Sequence, residues 1–131
     1  MAGSYLRHSY VLAKGAELVA DDTGGRLVLG LGVSHRPVNG ALGIAMDDPA
    51  GDLVRYTAEL RDWFAGKGPT THLPQPAPVA VPLHHATLGM RAAGTADGIM
   101  PTMWSPERLT GSSQRPATAR RAVRAKVEGW C

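Results

Sequence analysis

The stretch RLVLGLGVSH, Arg26 to His35, limits what this chain can fold into more than any other. Five aliphatic side chains and two glycines run to Ser34 and His35 without polar alternation. A strand reads this way when both of its faces are covered, which is the usual state of a strand inside a parallel sheet. Gly30 and Gly32 weaken a strand interior. Their place at the exit of this one predicts that another backbone, or a bound ligand, comes very close there.

The neighbouring segments supply helices of the kind a parallel sheet needs. Ser9 to Ala20 set Leu12, Ala16 and Val19 at helical spacing, and DDTGG at Asp21 to Gly25 ends the run. Ser34 to Met46 reads as a loop. Asp47 and Asp48 then offer capping oxygens, Pro49 suits a first turn, and Leu53, Tyr56, Leu60, Trp63 and Phe64 form one apolar stripe that GKGP terminates. Arg55 and Glu59 are spaced to pair on its exposed side.

A proline-rich extended connection, GPTTHLPQPAPVAVP, leads into a second strand, VAVPLHHATLG, and ADGIMP at Ala96 to Pro101 reads as a third. The MRAAGT between them is short for a crossover between parallel strands, so the connection is cramped or the pairing differs. SPERL opens a further helix with Ser105 as cap. Beyond Thr110, Arg120, Arg121 and Arg124 lie close to Val123 and Val127 around a helical wheel, which predicts a loosely packed helix. The organisation expected is a body, residues 1–109, and a basic tail, residues 110–131.

The chain has 131 residues, 44% of them hydrophobic, which fits one domain with a core kept thin by a single Phe and 16 glycines. The N-terminus has no apolar block of signal-peptide length, and no apolar run is long enough to span a bilayer, so a soluble cytoplasmic protein is expected. Cys131 is the only cysteine, leaving no intrachain disulfide and no thiolate metal cluster. The net charge of +3 is concentrated at the C-terminal end, where six Lys/Arg face two acids from Glu107 onward. That tail carries no recognition motif and no interleaved aromatics apart from Trp130, which argues against a nucleic-acid partner.

Four groups of residues could carry chemistry. Gly30-Leu31-Gly32 misses the dinucleotide fingerprint, because His35 stands where the third glycine belongs and no helix is expected at once. His84 and His85, adjacent on a strand, point to opposite faces and cannot share a metal. One of them is expected at the mouth or interior of the sheet and the other hydrogen-bonded under a helix. His8 and His72 read as surface residues. Thr87, Leu88, Gly89 and Met90 end the second strand, where unpaired backbone N–H groups make an anion site. Ser34 and His35 after one strand, and Thr87 and Gly89 after the next, would converge at the carboxyl ends of neighbouring parallel strands, where α/β enzymes hold their ligands.

These segments, GGRLVLGLGVSH, then VPLHHATLG, then ADGIMPTMWSPERL, occur in the order and style of the luciferase-like monooxygenases, and the chain resembles the branch of that family that uses coenzyme F420. The likeness runs from Leu6 to Leu109 and corresponds to the fourth, fifth and sixth strands of a (β/α)8 barrel. Met90 stands where the family carries a proline, and the helix that should follow is shortened. The resemblance implies a partial barrel with about three parallel strands and flanking helices. It also implies F420 or FMN at the carboxyl mouth and hydride transfer to a small organic substrate. On this likeness Gly30, Gly32, Ser34 and His35 lie by the cofactor ring and its chain, and Thr87, Leu88, Gly89 and Met90 by its phosphate. No catalytic side chain is assigned. An open parallel sheet of this size has two unpaired edges, so a homo-oligomer or a complementing barrel segment is expected. The alternative is a non-catalytic fragment acting as an oligomerising or interaction module.

Overall fold

The computed structural model describes residues 2–69, 72–75, 77–86 and 92–100. The TLGM turn, the SPERL helix and the basic tail fall outside them. Four parallel strands form one sheet in sequence order: β1 (Ala2–Gly3), β2 (Leu29–Gly32), β3 (Leu83–His85) and β4 (Gly98–Ile99). Parallel order without exchange is the arrangement of strands in a (β/α)8 barrel. The sheet holds one strand more than the sequence indicates. Two residues, Ala2↔Leu31 and Gly3↔Gly32, are too few to leave a periodic signature.

Among the described residues three α-helices lie between the strands: α1 (Ser9–Asp22), α2 (Arg36–Ala41) and α3 (Pro49–Phe64). In α1 the buried stripe is Leu12, Ala13, Ala16 and Ala20. Val19, expected on that stripe, is 44% exposed. Ala13, Ala16 and Ala20 carry the packing of α1 in place of Val19. His8 lies exposed and caps α1, its Nδ1 accepting from Tyr10 N at 3.2 Å. Gly24 and Gly25, both at positive φ, turn the chain out of the helix.

Asp48 caps α3 by accepting from Gly51 N at 3.2 Å, with Pro49 in the first turn. Leu53, Leu60, Trp63 and Phe64 are buried as the stripe requires, together with Thr57. The Arg55–Glu59 pair does not form. Arg55 binds Asp52 instead, and Glu59 accepts from Ser9 Oγ at 2.8 Å. Ser9 in turn accepts from Trp63 Nε1 at 3.2 Å. This chain of contacts ties α1 to α3 beneath the edge-to-face pair of Tyr10 and Trp63, whose centroids are 5.0 Å apart. Past α3 the chain doubles back so that Gly68 lies on the indole of Trp63, where an added Cβ would come within 1.9 Å of the ring.

The core sits between the two long helices and one face of the sheet: Ala2, Leu31, Leu83 and neighbours meet Leu12, Leu53, Leu60 and Trp63. The β3–β4 connection keeps the parallel pairing and contains a short 3-10 turn, Ala93–Thr95. Asp97 closes it, its carboxylate accepting from Leu83 N at 2.8 Å and from Arg61 at 3.1 Å. No helix among the described residues is long and apolar enough to cross a membrane.

Candidate functional site

Side chains alternate across a strand, so the register sorts every strand residue to one of two faces. Leu29, Leu31, Leu83 and His85 face the helices, with Leu31, Leu83 and His85 fully buried. The opposite face takes the positions between them. Gly30, His84 and Gly98 form one row across β2, β3 and β4. Gly3 and Gly32 begin the next row, toward the carboxyl ends, and continuing the register adds Ala86 and Met100. Apart from Met100 and His84, this inner face is built from main chain and very small side chains, and His84 is the only ionisable group on it among the described strand residues. Gly30, Gly32 and Gly98 are buried and His84 is half-buried.

The two adjacent histidines therefore divide as their spacing requires. His85 lies under α3, its Nδ1 donating to Ala92 O at 2.9 Å and its Nε2 2.7 Å from Thr57 Oγ1. Burial makes the imidazole harder to protonate, and Arg61 adds to that, while the Ala92 carbonyl and Asp97 act the other way. His85 is a structural residue. His84 is the one that faces the sheet interior.

At the carboxyl end of β2 the chain turns sharply. Ser34 has φ 65, the only non-glycine residue at positive φ among those described. His35 follows as N-cap of α2, so a helix does begin directly after the strand, contrary to the loop expected there. Pro37, Asn39 and Gly40 give this short helix no apolar stripe, and its start is visible only from the proline in the first turn. The helix does not restore a dinucleotide fingerprint, because His35 still stands in place of the third glycine. Asn39, completely buried, fixes the turn by donating from Nδ2 to Val33 O at 3.1 Å and to Met46 Sδ at 2.9 Å. Among the described residues its Oδ1 has no partner, and neither does the buried Oγ of Ser4 just past β1. Nothing in the sequence pattern singled out Ser4 or Asn39.

The same rim carries polar contacts between elements. Tyr5 OH donates to the Asp52 carboxylate in the first turn of α3, which Arg55 also holds. Burial first, then this hydrogen bond and the Asp52 charge, pushes the Tyr5 hydroxyl up to about 12, so it stays protonated. Arg36 donates to Met46 O from the start of α2. Gly30, Gly32, Ser34 and His35 are thus brought to the end of one inner strand. Thr87, Leu88, Gly89 and Met90 follow β3 outside the described residues.

A groove of about 520 Å³ opens at the opposite rim, between the end of α3 and the segment entering β3, walled by Phe64, Val79, Val81 and Pro82 and edged by the Arg61–Asp97 pair. It lies at the amino ends of the strands, the end of such barrels that serves stability. We therefore place the candidate site on the glycine-lined face and not in this groove. Among the described residues no group of three or more His, Cys, Asp or Glu could hold a metal.

The model of the luciferase-like monooxygenase family matches residues 3–127, wider at both ends than the stretch Leu6 to Leu109. Among solved structures, the coenzyme F420-dependent tetrahydromethanopterin reductase of Methanopyrus kandleri superposes with a TM-score of 0.66 at 16% identity. The match covers 98% of this chain and 44% of the reductase, so this chain spans less than half of that structure. At that identity the likeness speaks for the fold.

Proposed function

The chain belongs to the luciferase-like monooxygenases, and from that premise we propose that it is the cofactor-facing part of a flavin- or deazaflavin-dependent oxidoreductase acting on a small organic substrate. The observation that carries this is the inner face, where Gly3, Gly30, Gly32 and Gly98 bring no side chain of their own toward the carboxyl end of a parallel sheet, with Leu6 lying over Gly3 and His84 over Gly98. A planar tricyclic ring needs such a surface, and a Cβ on Gly30 or Gly32 would stand in its way. When bound in reduced form, such a cofactor supplies the hydride. The protein contributes position and electrostatics. Ser34 and His35, at the end of β2, would hold the ring and its chain, and the backbone of 87–90 would take the phosphate. A cytoplasmic setting goes with this proposal.

The test is direct titration. FMN and a deazaflavin are each added to the protein at micromolar concentration and their fluorescence followed. Saturable quenching by one of them, weakened when Gly32→Val fills the inner face, supports the proposal. Absence of quenching with both overturns it.

A second reading is favoured by one observation: among the described residues β1 and β4 each pair on one side only, whereas a (β/α)8 barrel closes eight strands without an edge. A second copy of this chain, or a complementing barrel segment, would supply the missing strands. On this reading the chain is an assembly module, with or without catalysis. Sedimentation at micromolar concentration distinguishes the cases, since a monomer with one sharp unfolding transition excludes the assembly.

A further inference from the structure

His84 has no structural employment comparable to that of His85. It forms no hydrogen bond with a described residue, and it is flanked in register by Gly30 on one side and Gly98 on the other. An added Cβ on Gly98 would lie 2.7 Å from its Nε2, 2.8 Å from Cε1 and 2.9 Å from Cδ2. The imidazole therefore lies across the main chain of Gly98, in the space a side chain there would fill. Any residue but glycine at that position must push the ring away. The charged group in its neighbourhood is Asp97, which is already held by Arg61.

We infer that His84 is a ligand-contacting residue of this inner face: an imidazole set on the backbone of Gly98 to hydrogen-bond the polar edge of a planar heterocycle laid against Gly30 and Gly32. This rests on the function proposed above. The chemistry fits the ligand class, because a fused pyrimidinedione presents carbonyl acceptors beside an N–H donor. A neutral imidazole carries one donor and one acceptor and meets either. Gly30 and Gly98 add no side chain of their own, so the specific contact from this row falls to His84.

Substitutions that separate polarity from packing test it. His84→Phe keeps a flat ring without a polar edge, and His84→Gln keeps a polar end without the ring. Titrated with FMN and with a deazaflavin, His84→Phe should bind about tenfold more weakly than the unaltered chain, and His84→Gln within about threefold of it. Gly98→Ala should reproduce the loss seen with His84→Phe by displacing the imidazole. Gly15→Ala, where an added Cβ meets nothing within 4 Å, should leave binding unchanged. In the unaltered protein the ring 15N resonances of His84 should move on adding FMN or the deazaflavin. Equal binding by His84→Phe and the unaltered chain, equal losses in His84→Phe and His84→Gln, or 15N resonances unmoved while ligand binds would each overturn the inference alone. No binding by the unaltered chain overturns the proposed function and this inference together.

Discussion

His84 and His85 are neighbours in sequence with opposite duties, and His85 gives the clearest dependence on pH. Its folded-state proton affinity is lowered chiefly by burial, whereas in the unfolded chain it titrates near the usual value of about 6.5. The unfolded state therefore binds more protons as pH falls through that value, and the contribution of His85 to stability is fully present above it and declines below. Urea midpoints measured from pH 7.5 to pH 5 should fall for the unaltered chain, with a smaller slope for His85→Asn. Asn39 acts past the carboxyl end of β2. Asn39→Ala removes both bonds from Nδ2 and strands the Val33 carbonyl, which should cost about 1–2 kcal/mol in urea unfolding, partly offset by removal of the unpartnered Oδ1. That the two histidines divide between faces could be read from their adjacency alone. Asn39 could not, because a buried amide is recognised by its partners and none of them is near it in a periodic pattern.

At the level of elements, legibility follows periodicity. The long helix α3 was visible because cap, proline and apolar stripe agree over 16 residues. The six-residue α2 and the two-residue β1 were not, since neither is long enough to show a period. Those two elements form through tertiary hydrogen bonding: Ser4 N donates to Gly32 O at 2.8 Å, and Asn39 ties α2 to Val33. The candidate site was legible to the same extent. Gly30 and Gly32 stood out as breaks in an aliphatic run, whereas Gly3 and Gly98 join them only through register. Within α1 one position is open to improvement. Gly15 sits mid-helix with nothing near its missing Cβ, so Gly15→Ala should stabilise the protein by about 0.5–1 kcal/mol, read as a higher thermal midpoint.

At the largest scale the described residues form a parallel sheet covered on one face by α1 and α3, with the candidate ligand surface on the other. Stability and the proposed cofactor contact thereby fall to opposite faces of the same strands. Trp63 is the hub of the stable face, fully buried and joined to Ser9, Tyr10 and the α3 stripe. Trp63→Ala should cost about 3–5 kcal/mol, enough to abolish a cooperative transition in a small domain, as seen by circular dichroism on heating. The same indole sets a rule for the loop above it. Gly68 is part-exposed, and by exposure alone it would be counted among the freely variable positions. Its contact with Trp63 makes it behave as interior: in a saturation library selected for folded protein, site 68 should retain glycine almost alone while its neighbours diversify.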